Sequence, residues 1–332
     1  MKRVRRRYNA RPAMNLLKSA SIVSLLTLVS RVTGLVREQL VAATFGASAA
    51  TDAFNVAFRI PNLFRRLFAE GAFAQAFVPV LANVRAGEGD EATRGLIDAV
   101  ATVLAWVLLA TCVVGVIGAP VLVWVMGAGL ERFDTAVVLT RFMFPYIGFM
   151  SLVALSAGIL NTWHRFTVPA ATPVLLNLAF IAAAWFGAPA FEARGWDPIL
   201  ALAAGVMAGG VLQLAVQWPA LRAIGSLPRI GLRPASIVAA WRHPGVQRVL
   251  RQMAPALLGV SVAQISLLIN TQIASHIGVG AVSWLTYADR LMEFPTALLG
   301  VALGVVLTPQ LASARATGNA ADYSSLLDWG LG

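Results

Sequence analysis

Apolar runs of membrane-crossing length alternate with short polar connections along almost the whole chain. Eight runs predict helical spans, at roughly 21–45, 53–82, 96–126, 135–160, 168–189, 198–220, 252–277 and 281–312, and a ninth begins near Ser324. A helix needs roughly 20 residues to cross about 30 Å of hydrocarbon, and these runs have that length. The pattern predicts an all-α polytopic membrane protein. The longest connection, 221–251, holds Pro228, Pro234, Pro244 and six arginines and follows the sixth span. It divides a first lobe of six spans (21–220) from a partial second lobe (252–332), with a basic N-terminus at 1–20. The boundary rests on spacing, since no clear internal repeat is visible.

Composition supports the membrane reading. The chain has 332 residues, 58% of them hydrophobic and 12% charged, with a mean hydropathy of +0.74. Soluble domains run near 45–50% apolar and about 25% charged. The net charge of +11 would suit a nucleic-acid partner, but the positions of the charges argue against one. Seventeen lysines and arginines lie in the N-terminus and alternate connections, whereas the opposite connections hold only Arg132 and Arg194. That asymmetry predicts a cytoplasmic N-terminus. The leader MKRVRRRYNARPA is either an anionic-lipid contact or the product of an early start, with Met14 as the alternative. It is not a cleavable signal peptide, because the apolar stretch that follows has full span length.

Soluble-enzyme chemistry is missing from the sequence. Cys112 is the one cysteine and sits in an apolar run, where it reads as a small packing residue. His164, His243 and His276 show no paired-ligand spacing, and there is no phosphate loop or nucleophile elbow. No metal site and no cofactor are expected. The GxxxG patterns Gly205–Gly209 and Gly300–Gly304 read as close helix packing rather than hinges.

The informative stretch is TDAFNVAFRIPNLFRRLFAEGAFAQAFVPV, residues 51–80. Asp52, Asn55, Arg59, Asn62, Arg66 and Glu70 recur at steps of three and four and form one polar stripe on a helix. Pro61 predicts a kink, which would bring Arg65 toward that stripe. The first span adds Arg31 and Arg37, and the eighth adds Asp289 and Arg290. A charge at mid-bilayer costs roughly 2.5–3.5 kcal/mol on insertion scales. Sequential pairs such as Arg37–Glu38 and Asp289–Arg290, or snorkelling arginines, would account for some of these groups. Arg31 and Arg37 are about 9 Å apart along one helix and do not easily reach the same interface. A shared internal cavity explains the set more simply. Arginine's planar fork suits phosphate and carboxylate, so the expected ligand is anionic and phosphorylated.

Together with MNLLKSASIVSLLTLVSRVTGLVRE, GILNTWHRF, GVSVAQISLLINT and SWLTYADRLMEFPTALLGVALG, this stretch resembles the MurJ (MviN) lipid II flippases of the MOP exporter superfamily. The resemblance runs from Met14 to the end of the chain. It implies a MATE-like exporter fold in the bacterial cytoplasmic (inner) membrane. The implied activity is movement of the undecaprenyl-pyrophosphate-linked peptidoglycan precursor from the inner to the outer leaflet, by alternating access. The implied partners are lipid II, the membrane and the cell-wall synthesis machinery, and coupling to an ion or to the membrane potential is compatible with it.

The family's cavity residues match Ser30, Arg31, Arg37, Glu38 (where aspartate is more usual), Asp52, Arg65, Glu70 and Arg290, with Arg59, Arg66 and Asp289 as supporting groups. The resemblance favours Arg65 over Arg66. Members typically have fourteen spans, so it also implies that most of the second lobe lies outside this sequence. Exporters of drugs or of other lipid-linked saccharides are the nearest rivals; a drug exporter would favour carboxylates and aromatics over arginines. A membrane transferase would want acids clustered on a metal, whereas Asp52, Glu70, Asp289 and Glu293 each neighbour a basic residue.

Overall fold

A computed structural model describes residues 11–65 and 72–292, together with Ser325. The basic leader before residue 11, Arg66, Glu70, Glu293, Gly300–Gly304, the later part of the eighth predicted span and the ninth lie outside the described residues.

The described chain is helical. Its helices are α1 (Arg11–Phe45), α2 (Ala49–Arg65), α3 (Ala72–Gly87), α4 (Gly89–Ile117), α5 (Ala119–Gly127), α6 (Phe133–Met143) and α7 (Tyr146–Thr162). There follow α8 (Thr167–Ala182), a π-helical turn at Ala183–Gly187, α9 (Ala188–Glu192), α10 (Ile199–Ala223), α11 (Pro234–Arg242) and α12 (Pro244–Ile277). A further helix, α13, covers 281–292. Each predicted span falls on helical backbone over most of its described residues, with turns at Gly118 in the third and at Phe144 and Pro145 in the fourth. In hydrocarbon no water can satisfy backbone polar groups, so the chain must close its hydrogen bonds within each segment.

Several spans are composite. The second comprises α2 and α3, and α2 runs through Pro61 to Arg65. The third changes helix at Gly118, just before Pro120. The fifth carries the π turn, where one extra residue enters the helical ladder. Among the described residues, four helical segments are long and apolar enough to cross a membrane by length and composition: Gly89–Ile117, Phe133–Thr162, Thr167–Glu192 and Ile199–Ala223. The charged side chains that line the cavity described below lie on α1, α2 and α13 instead.

Among the described residues, α7 is central and contributes to two buried apolar clusters. One gathers Phe54, Ile60, Met143, Tyr146 and Ile147; the other gathers Phe77, Leu81, Leu96, Leu155 and Ile159. α1 lies along α8, which lies along α10, while α12 packs on α3 and α5. Lipid tails are as apolar as leucine, so helices are held together here by close fit rather than by exclusion of water. Gly205 and Gly209 supply that fit. A Cβ on Gly205 would stand 2.6 Å from the Ala183 Cβ, and one on Gly209 2.6 Å from a Leu176 methyl. Gly205–Gly209 is thus a packing face of α10 against α8 and the π turn.

The connection 221–251 is largely structured. α11 occupies its middle, and α12 begins at Pro244, eight residues before the predicted span.

Candidate functional site

Between α1, α2, α7 and α8 on one side and α12 and α13 on the other lies a cavity of about 740 Å³. Ser30, Arg31, Arg37, Glu38, Arg59, Arg65, Asp289 and Arg290 all line it. Five arginines face two carboxylates there, Glu38 and Asp289, so the described lining carries an excess of positive charge. Low-dielectric walls focus such a field and favour an anionic occupant.

The cationic centre is built on α1. Arg37 is only 7% exposed. Its guanidinium pairs with the adjacent Glu38 carboxylate and donates from Nη1 to Asn177 Oδ1 at 3.1 Å. It also lies 4.8 Å from the centre of the Phe180 ring. Asn177 on α8 is itself held, since its Nδ2 donates to the Ser30 carbonyl at 2.9 Å and to Thr33 Oγ1 at 3.1 Å. Ser30 thus contributes its backbone oxygen to the support of Arg37. Glu38 Oε1 also stands 3.5 Å from Arg290 Nε on α13. One carboxylate therefore holds two arginines from helices far apart in sequence. Arg65, at the end of α2, donates from Nε to Asn62 Oδ1 at 3.1 Å. Arg31 lies on the same lining and is exposed.

The sequential Asp289–Arg290 pair gives way to pairings between helices. Asp289 faces Arg59 at 3.7 Å, whereas Arg290 faces Glu38. Arg59 donates to Thr271 Oγ1 on α12, and its Nη2 donates to Thr286 Oγ1 on α13 at 2.8 Å. Arg59 therefore ties α2 to both helices that follow the long connection.

Asp52, expected in the cavity, is absent from the described lining and takes a different position. It is 3% exposed, at the start of α13. Its Oδ2 accepts from the Gly280 N–H at 2.6 Å, and its Oδ1 accepts from the Ser283 N–H at 2.8 Å and the Ser283 hydroxyl at 2.6 Å. The first N–H groups of a helix have no partner within it, and the helix dipole favours an anion there. Gly280 has φ of +88°, and a side chain on it would press on the Ala47 carbonyl. One step further along the stripe, Asn55 Nδ2 donates to Ser283 Oγ at 3.3 Å. The contacts of Asp52, Asn55 and Arg59 thus form a seam from α2 to α13. The Ala128 N–H donates to Gln272 Oε1 at 3.1 Å, and the Gly129 N–H donates to Ser275 Oγ at 3.2 Å. These bonds join the α5–α6 connection to α12.

Asn177, Thr271, Ser283 and Thr286 were not anticipated. Asn177 is a lone polar residue in an apolar run, which is itself a signal inside a span. Thr271 lies in a polar triplet with Asn270 and Gln272, and Ser283, Thr286 and Arg290 recur at steps of three and four, a second polar stripe that periodicity could have found. Among the described residues, no group of three or more His, Cys, Asp or Glu side chains converges to hold a metal ion.

The family model described as Lipid II flippase MurJ matches residues 41–332. A lipid II flippase MurJ of Burkholderia cenocepacia is 57% identical over 322 residues, covering 96% of this chain and 61% of the relative. The chain therefore spans about three fifths of that relative's length. Among solved structures, a lipid II flippase MurJ in an inward closed conformation superposes with a TM-score of 0.70 at 24% identity, covering 88% of this chain and 59% of that one. An outward-facing MATE family multidrug transporter of the MOP superfamily gives 0.57 at 16% identity, covering 95% and 69%. At these identities the two structures bear on the fold alone, which is that of MOP exporters.

Proposed function

The chain belongs to the lipid II flippase MurJ family, and from that premise we propose that it carries the anion-binding part of a flippase for lipid-linked peptidoglycan precursor. The activity is transport, with no covalent chemistry. The substrate is lipid II, whose pyrophosphate joins a polyprenyl tail to a sugar-peptide head. The protein spans the bacterial cytoplasmic membrane many times, with its N-terminus in the cytoplasm. The observation that carries this reading is the Arg37–Glu38–Arg290 arrangement in a cavity that Arg31 and Arg65 also line. A pyrophosphate entering there meets guanidinium forks, which bind phosphate oxygens two at a time. Glu38 keeps Arg37 and Arg290 close while the cavity is empty, and an incoming anion replaces part of its role.

The seam made by Asp52, Asn55 and Arg59 supports a cavity held closed at the end where 46–52 and 128–129 meet 272–283. The charge asymmetry assigns that end to the outside. Alternating access then requires this seam to part when the substrate leaves.

The test is complementation. In the intact flippase gene, Arg31→Ala, Arg37→Ala, Arg65→Ala and Arg290→Ala should each reach the membrane yet fail to sustain a flippase-depleted bacterium. Arg→Lys should rescue only in part, since a point charge lacks the fork. Normal growth with all four arginines replaced by alanine would overturn the proposal.

A further inference from the structure

The segment that joins α10 to α12 is pinned to the side of α4 by its own backbone. The Arg229 N–H donates to Asp98 Oδ1 at 2.8 Å, and the Gly231 N–H donates to Thr102 Oγ1 at 2.9 Å. The Trp106 indole N–H donates to the Gly231 carbonyl at 3.0 Å. A Cβ on Gly231 would stand 2.6 Å from Ser236 Oγ, so a side chain there would displace Ser236 at the start of α11. α11 follows and buries Ala240 in the second apolar cluster.

This anchoring leaves an unusual surface uncovered. Leu232 is 77% exposed, Val238 50% and Trp241 47%. Val238 and Trp241 are three residues apart and share a helix face. Arg229, Arg233 and Arg242 stand among them, all exposed. None of the three forms an ion pair among the described residues. Six arginines lie in 221–251, and the chain has no acidic residue anywhere from 198 to 288. Along α4, Val107 and Leu109, just beyond Trp106, are also apolar and exposed. The surface therefore sits where the apolar side of the bundle begins, with tryptophan at the level expected of a membrane interface.

We infer that the α10–α12 connection is a docking surface for anionic phospholipid headgroups, seated by Arg229, Arg233 and Arg242 while Leu232, Val238 and Trp241 enter the acyl boundary. Charge complementarity favours this occupant. An acidic protein would satisfy the arginines but would not explain apolar side chains level with the bundle's own apolar flank. Because the segment links α10, which packs along α8 on one side of the cavity, to α12 on the other, bound lipid would steady one side against the other. The inference is independent of what the cavity carries.

The full chain in nanodiscs of phosphatidylcholine, titrated with phosphatidylglycerol, tests it. The readout is the number of phosphatidylglycerol molecules retained when the protein is released in native mass spectrometry. Each basic residue near an anionic surface is worth roughly fivefold in association. R229Q/R233Q/R242Q should raise the phosphatidylglycerol content needed for half-maximal retention at least tenfold, by that estimate. R229K/R233K/R242K should stay near wild type, and so should R194Q at a distant exposed arginine. Wild-type retention by the glutamine variant, or an equal loss in the lysine variant, would overturn the inference.

Discussion

Replacing Asp52 by asparagine changes one atom of a buried carboxylate and leaves its size unchanged. The carboxylate receives three donors, the Gly280 N–H, the Ser283 N–H and the Ser283 hydroxyl. Asparagine keeps a single acceptor oxygen. If that oxygen stays with Ser283, the amide NH₂ faces the Gly280 N–H, and two donors meet with no acceptor between them. A hydrogen bond to a charged group contributes about 1.5–3 kcal/mol, and the lost charge also removes about 0.3–1 kcal/mol of interaction with the α13 dipole. The local cost of roughly 2–4 kcal/mol corresponds to about a thirtyfold to several-hundredfold increase in opening, at 1.4 kcal/mol per factor of ten. Hydrogen exchange followed by mass spectrometry on a peptide covering 278–284 reads this opening directly. Protection should fall in Asp52→Asn by at least an order of magnitude on this estimate, while a peptide from α7 keeps its rate. Unchanged protection at 278–284 would refute the assignment of Asp52 as the anchor of α13.

Two further expectations follow from packing and sidedness. Gly205→Ala should already lower thermal stability in detergent, by about 1–3 kcal/mol of overpacking, since its Cβ would meet Ala183 at 2.6 Å. A hinge role would leave the melting temperature in place and change transport alone. In a background with Cys112 replaced, single cysteines at Ser48 and Thr135 should react with an impermeant thiol reagent from outside the cell, and one at Gly87 should not. The reverse pattern would invert the proposed topology and the side on which the seam closes.

The positions of the long helices were legible from the sequence because a bilayer reduces the problem to one dimension. A segment in hydrocarbon has to satisfy its own backbone and has to be about 20 residues long. Apolar run length is then enough to locate helices, as 198–220 against Ile199–Ala223 illustrates. The steps of three and four also marked a polar face on α2, and Asn55, Arg59 and Asn62 do line the cavity. Charged positions within the first and eighth spans added Arg31, Arg37 and Arg290, family resemblance favoured Arg65 over Arg66, and these four arginines share the same lining.

Periodicity names the face of a helix but not what lies opposite it. Asp52 and Arg59 belong to one stripe, yet Asp52 holds the N-terminus of α13 while Arg59 reaches across to α12 and α13. Arg37 and Glu38 are adjacent in sequence, but Asn177, 140 residues from Arg37, supports the first, and Arg290 shares the second. Asp52 and Ser283 are 231 residues apart. In a medium where every helix is apolar on most sides, a buried charge's effect depends on its partner, because an unpaired charge there is costly and a paired one is a fastener. The sequence by itself determined where the long helices lie and which groups are charged. Only the packing of α1, α2, α8, α12 and α13 decided which of those charges hold the helices together and which remain turned toward the cavity.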